Sequence, residues 1–262
     1  MKVGYIQNSP IFGEVENNFT QIKELSNGIR ADLLVLPELF ATGYTFTSKE
    51  EAQEMAEGVG GITANFLKEI SQKTGAVIVA GFIEKEGKNI YNAAIMINGD
   101  NIIGTYRKIH LYYKEKKWFS PGNKPFEIHQ VNGMNIGMMI CFDWIFPESI
   151  RSLALLGADI IAHSANLVLP YCQNAMVNRC LENRVFGITA NRIGTEKRGQ
   201  DEFKFTGGSQ LTAIDGEVLS SAPINDLSVD IVEIDIFKAR NKSLNEYNNL
   251  FEDRKPDFYT LR

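Results

Sequence analysis

Cys141 stands where an apolar run, Met134-Asn135-Ile136-Gly137-Met138-Met139-Ile140, gives way to Phe142-Asp143-Trp144-Ile145-Phe146-Pro147-Glu148. A thiol at the end of a buried strand, just before a turn and a Pro-initiated helix, is placed for nucleophilic chemistry, because strand ends in α/β folds are where reactive groups meet substrate. Two further apolar strands end on ionisable groups: Leu34-Val35-Leu36-Pro37-Glu38 on a carboxylate, Tyr106-Arg107-Lys108 on an amine. Such a set divides labour. Glu38 can take the thiol proton and later activate water, while Lys108 stays cationic and stabilises the oxyanion of a tetrahedral intermediate. The backbone N–H of Phe142, next after the thiol, is placed as the second oxyanion donor. For each residue alone the blander reading wins, a core thiol or a strand-end salt bridge. The three together favour a Glu38, Lys108, Cys141 catalytic set.

Other chemistries find less support. A thiol is mostly protonated at neutral pH and needs a base or a positive field. Of the three histidines, His163 ends a buried strand and reads as a hydrogen-bonded near-core residue, although a Cys–His pair through it stays open. Histidines and cysteines are scattered without metal-ligand spacing, and neither a Gly-x-Ser-x-Gly elbow nor a phosphate-cradling glycine loop is present, so the reading is free of metal and cofactor. Tyr44, Tyr112, Trp144 and Asn166 lie near the motif segments and are candidate pocket residues, against a packing role as the alternative.

The elements that position these groups alternate. Strands are predicted over 2–7, 33–36, 76–81, 134–140, 159–163 and 188–191, with helical spacing of Val15, Phe19, Ile22, Leu25 and Ile29, and helices over 62–73, 147–156 and 173–186. Strands 91–97 and 102–106 form a hairpin through Asn98-Gly99-Asp100-Asn101, so the sheet is mixed. Beyond Gly207 the texture is β-rich, with strands over 209–214, 217–220 and 229–234. This order fits an α/β protein of two sheets packed face to face with helices outside.

A chain of 262 residues, 44% hydrophobic and 23% charged, is expected to form one domain over 1–262. A net charge of -5 argues against a nucleic-acid partner. No apolar run reaches the roughly 18 residues of a membrane span, and no signal peptide opens the chain, so a cytoplasmic protein is expected. Cys172 and Cys180, on one predicted helix about 12 Å apart, are too distant for a disulfide and read as core thiols. The tail 245–262 carries Tyr247, Leu250, Phe251, Phe258 and Tyr259 and is expected to dock on its own body or on a neighbouring subunit.

Three segments in this order resemble the nitrilase superfamily of carbon-nitrogen hydrolases: Leu36-Pro37-Glu38 with Thr42-Gly43-Tyr44, Tyr106-Arg107-Lys108-Ile109-His110-Leu111, and Gly137-Met138-Met139-Ile140-Cys141-Phe142-Asp143 running into Phe146-Pro147-Glu148. The resemblance extends over nearly the whole chain. It implies a four-layer αββα sandwich of two mixed sheets, a Glu38-Lys108-Cys141 triad, and a second glutamate that positions substrate and lysine, a place that Glu115 occupies. Lys114, Lys116 and Lys117 around Glu115 leave an exposed charge run as the alternative. The resemblance also implies homodimers or larger homo-oligomers and, at this length, a cofactor-free amidase acting on a small aliphatic amide through a Cys thioester. A small-nitrile nitrilase and an N-carbamoyl amide hydrolase are the runners-up. Two other classes are a non-catalytic binding protein, against which the intact set of three counts, and an acyltransferase, for which no acyl-carrier cue appears.

Overall fold

A computed structural model describes residues 1–260. The chain begins with β1 (Lys2–Gln7), α1 (Val15–Leu25), β2 (Leu33–Val35), α2 (Lys49–Glu54), α3 (Ile62–Thr74), β3 (Val77–Glu86), β4 (Asn89–Asn98), β5 (Asn101–Arg107) and α4 (Glu115–Trp118). It continues with β6 (Ile128–Val131), β7 (Met134–Ile140), a 3₁₀ turn (Cys141–Ile145), α5 (Pro147–Leu155), β8 (Ile160–Ser164), α6 (Cys172–Asn183) and β9 (Phe186–Ala190). The hairpin β10 (Thr195–Arg198) and β11 (Asp201–Lys204) follows, then β12 (Gln210–Thr212), β13 (Val218–Ser221) and β14 (Ser228–Glu233).

Two six-stranded mixed sheets result, ordered β14-β1-β2-β3-β4-β5 and β13-β12-β9-β8-β7-β6. Each has a parallel trio, β1-β2-β3 in one and β7-β8-β9 in the other, flanked by antiparallel strands. Parallel neighbours need crossovers, and α1, α3, α5 and α6 are those crossovers. Successive strand side chains face opposite ways, and the two cores they enter follow that period. Leu33, Val35, Val77 and Val79 join the core shared with Met138, Ile140 and Ile160 of the second sheet. Their neighbours Leu34, Leu36, Ile78 and Ala80 pack instead against Phe19 and Ile22 of α1 and Phe66, Leu67 and Ile70 of α3. The layers are therefore helix, sheet, sheet, helix, as the sequence predicts.

Two helix ends differ from the periodicity. The helix predicted over 173–186 spans Cys172–Asn183, because Arg184 takes a left-handed conformation at φ 45° and Phe186 is drawn into parallel pairing with Ile160. Likewise α1 stops at Leu25, so Ile29 lies beyond a turn closed by Gly28 at φ 75°. The short polar α2, in which only Ala52 is buried, the single turn α4, strand β6 and the hairpin β10-β11 carried no recognisable period. In the tail, Phe251 docks on its own chain, with the Arg151 guanidinium 5.5 Å and the Lys242 ammonium 5.2 Å from its ring centre. Tyr247 and Phe258 stay exposed, at 82% and 85%. Residues 261 and 262 lie outside the described residues.

The site depends on one close approach between strand ends. A Cβ on Gly81 would lie 2.5 Å from Glu38 Cα and 2.6 Å from Leu39 N, so only glycine lets β3 support the turn that presents Glu38. The Gly81 N–H also donates to Pro37 O at 3.1 Å, fixing that contact. Gly81→Ala is therefore expected to displace Glu38 and to cost roughly 1–3 kcal/mol of stability by overpacking. Chemical denaturation of Gly81→Ala should show this loss; unchanged stability would remove this role for Gly81.

Candidate active site

Cys141 follows β7 directly and sits at φ 41°, a left-handed value that an L side chain adopts only at a cost of order 1–3 kcal/mol. The strain turns the side chain out of the strand's alternation at the sheet's end. Hydrogen bonds on both sides hold it. Before the elbow, the Ile140 N–H donates to Asp143 Oδ2 at 2.9 Å. After it, His163 Nε2 donates to the Cys141 carbonyl at 3.0 Å, and His163 Nδ1 lies 3.1 Å from Thr189 Oγ1. The donor to a carbonyl must carry the proton, so His163 is the Nε2–H tautomer and its Nδ1 accepts from Thr189. Burial pulls the His163 pKa down to about 4, which keeps the ring neutral. His163 thus faces the backbone of Cys141 and not its sulfur, as the near-core reading requires.

Lys108 lies just beyond β5, fully buried, with its N–H donating to Asn92 O of β4 at 2.8 Å. Its Nζ donates to Glu38 Oε1 at 2.7 Å and to Glu115 Oε1 at 2.8 Å. An ammonium has three donors, so these two bonds leave one for another acceptor. Burial alone would pull the Lys108 pKa down, but Glu115 and Glu38 outweigh it and raise it above its ordinary value. Burial raises Glu115, against the opposing pull of Lys108. Glu115 is itself held by the Tyr44 hydroxyl, which donates to Oε1 at 2.7 Å, and by the Tyr112 N–H, which donates to Oε2 at 3.1 Å. It is buried while Lys116 and Lys117 beside it are exposed, so it is no member of a solvated charge run.

Glu38 accepts from Asn92 Nδ2 at 2.6 Å as well as from Lys108, both on Oε1. Its Oε2 is buried and without a partner among the described residues. A bare carboxylate oxygen is a proton acceptor waiting for a donor. Burial pushes the Cys141 thiol well up, Glu38 pushes it further, and Lys108 opposes. Sulfur therefore rests as a thiol, with its S–H directed to Asn166 O at 3.7 Å. The arrangement can move a proton from sulfur to a carboxylate and hold a developing oxyanion by a buried ammonium.

A pocket opens on Cys141, lined by Tyr112, Phe142, Trp144, Asn166, Leu167 and Val168 among others. Three of the four candidate pocket residues, Tyr112, Trp144 and Asn166, are on this wall, together with Phe142, the expected oxyanion donor. Tyr44 is placed behind it, reaching the site through its bond to Glu115. The Asn166 carboxamide is buried with neither its nitrogen nor its oxygen bonded among the described residues. The N–H of Phe142 lies in the first turn of the 3₁₀ segment, where a helix start leaves its donors without internal acceptors.

Several contributors carry little or no local signal in the sequence. Asn92 interrupts the apolar run Tyr91-Asn92-Ala93-Ala94-Ile95, and that polar break was the available signal. Arg192, one of the largest fully buried side chains, forms an ion pair with Glu196, whose Oε2 accepts from the N–H groups of Tyr44 and Thr45 at 3.1 and 2.9 Å. That pair fixes the loop bearing Tyr44, and its members lie about 150 residues from the loop they hold, beyond any local pattern.

A strand-end thiol, a clamped lysine and two carboxylates on a helix-sheet-sheet-helix frame define the class to which comparison with known proteins then assigns the chain. The carbon-nitrogen hydrolase family model matches residues 2–241. The chain belongs to this family, the nitrilase superfamily of amidase- and nitrilase-type enzymes. It is 46% identical over 264 residues to a nitrilase of Pyrococcus abyssi, covering 99% of each chain. It is 32% identical to an (R)-stereoselective amidase of a Pseudomonas species, over 78% of this chain and 73% of that one. The fold matches the crystal structure of a carbon-nitrogen hydrolase from Helicobacter pylori with a TM-score of 0.86 at 23% identity, covering 99% and 97% of the two chains.

The raised thiol gives an optical prediction. Ultraviolet thiolate absorbance in the difference between the wild type and Cys141→Ala should be absent between about pH 6 and pH 8, and should emerge only above the ordinary thiol range near 8.5. A thiolate signal already complete at neutral pH would contradict a resting thiol.

Proposed function

We propose that the protein hydrolyses a small aliphatic amide to a carboxylic acid and ammonia, with Cys141 as nucleophile, Glu38 as general acid and base, and Lys108 with the Phe142 N–H as oxyanion donors. The observation that carries the reading is the free Oε2 of Glu38, buried beside a lysine whose two bonds leave a third donor unused. In the first half-reaction, the thiol proton passes to Glu38 as sulfur bonds to the amide carbon. The carbonyl oxygen takes the negative charge and is met by Lys108 and Phe142. As the oxyanion collapses, the C–N bond breaks, Glu38 returns the proton to nitrogen, and ammonia leaves a thioester. In the second, a water gives its proton to Glu38 and attacks the thioester carbon. The C–S bond then breaks, the proton returns to sulfur, and the acid is released. Glu115 holds Lys108 in place throughout.

The lining of the cavity supports an uncharged substrate. The lining residues Tyr112, Phe142, Trp144, Leu167 and Val168 carry no charge. The free carboxamide of Asn166 can bond a polar group of the substrate.

The 46% identical relative that is a nitrilase favours a second reading, in which the substrate is a nitrile. Sulfur then adds to the C≡N carbon, and the thioimidate takes up one water and loses ammonia to reach the same thioester. Action on the family's wider range of C–N substrates, N-carbamoyl amides included, is tested alongside. A single domain, a cytoplasmic setting and a homo-oligomer in which the 245–262 tail meets a neighbouring subunit complete the proposal.

Ammonia release across small aliphatic amides, carbamoyl compounds and nitriles is expected to be fastest on an amide. Release from nitriles alone would decide for the second reading. Cys141→Ala should abolish turnover while remaining folded, and brief exposure of the wild type to substrate should leave an acyl mass on the peptide containing Cys141. Full turnover by that variant, or an adduct on Cys172 or Cys180, would overturn the mechanism.

A further inference from the structure

Asp143 is fully buried two residues after the thiol, and the mechanism above gives it no task. One of its oxygens, Oδ2, accepts from the Tyr106 hydroxyl at 2.8 Å and from the Ile140 N–H at 2.9 Å. The other, Oδ1, lies 2.7 Å from His110 Nδ1 and accepts from the His110 N–H at 3.4 Å. Tyr106 and His110 are the residues two before and two after Lys108, and Ile140 is the residue before Cys141. One carboxylate therefore grips the lysine segment on both sides and the thiol elbow at its base. A second tie runs parallel, since the His110 ring stacks on Phe146, at the end of the Cys141 turn, with centres 3.8 Å apart.

These contacts join two sheets at the point of reaction. Lys108 extends from β5 of the first sheet and Cys141 from β7 of the second. Strand pairing within either sheet cannot set their separation. The elbow is also strained, at φ 41°, and a strained residue keeps its conformation only where its surroundings over-determine it. His163 holds the carbonyl side of Cys141 but touches nothing on the lysine segment among its hydrogen bonds.

We infer that Asp143 is a positioning residue for the reaction: by bonding Ile140, Tyr106 and His110 together, it sets the Cys141 sulfur against Lys108 and Glu38. Its absence changes the geometry of attack and leaves the pocket that binds substrate in place. An ordinary structural ion pair would act differently, since its loss would loosen the core and expose the thiol.

The proposal rests on Cys141 being the nucleophile, and its test uses Asp143→Asn and the milder Tyr106→Phe, each checked for fold by circular dichroism. A misplacement on the ångström scale costs on the order of 100-fold, so kcat should fall about 100-fold in Asp143→Asn and about 10-fold in Tyr106→Phe, with KM changed less than about threefold. Alkylation of Cys141 by chloroacetamide, followed by peptide mass, needs no turnover and should slow in both variants. Alkylation as fast as or faster than in the wild type, or an unchanged kcat in folded Tyr106→Phe, would overturn the proposal. If Asp143→Asn fails to fold, Tyr106→Phe decides alone. Turnover by Cys141→Ala would remove the nucleophile reading, whereas an inactive Cys141→Ala beside an unimpaired Tyr106→Phe would remove the role of Asp143 only.

Discussion

Lys108 carries its ammonium to a place that solvent does not reach. An isolated buried charge of this kind costs several kcal/mol, and it is tolerated only when paired and hydrogen-bonded with good geometry. Glu38 and Glu115 provide that pairing, 2.7 and 2.8 Å from Nζ. Much of the surrounding structure serves to keep the two carboxylates there. Asn92 holds Glu38, Gly81 allows the β2 end to approach β3, and Tyr44 and the Tyr112 N–H hold Glu115. The Arg192–Glu196 pair in turn fixes the Tyr44 loop, so one buried cation accounts for polar groups drawn from widely separated parts of the chain.

The same electrostatics set the character of the sulfur. Burial, with two carboxylates beside it, outweighs one lysine, so the thiol keeps its proton at rest. A nucleophile of this type relies on proton transfer during attack, which gives the bare Oε2 of Glu38 its place in the proposed reaction. The contrast is with cysteines that rest as thiolates beside a cationic histidine. Here the buried histidine is neutral, and it is spent on the backbone of the elbow.

Legibility in the sequence followed the range of the interaction. Strands β1, β2, β3, β4, β7 and β8 were readable because burial on both faces demands continuous apolar runs such as Ala76-Val77-Ile78-Val79-Ala80. α6 ends three residues before its periodicity does, since helical residues continue past Asn183 while the sheet claims Phe186. At the site, Glu38, Lys108 and Cys141 were visible as ionisable groups at strand ends. Glu115 came only through the family resemblance, because a carboxylate among three lysines looks solvated until the fold buries it. Asn92, Asp143 and Arg192 could not be assigned, as the partners of each lie on other strands or loops.

The sequence by itself determined which residues could react and where most strands run, because side-chain chemistry and apolar runs are local properties. Membership of the carbon-nitrogen hydrolase family follows from the same local motifs in their order. The tertiary structure decided the protonation of the thiol, the count of unused donors on Lys108, the tautomer of His163 and the clasp made by Asp143. Each of these depends on desolvation and on distances between strands from two different sheets, and neither quantity exists until the sheets have packed.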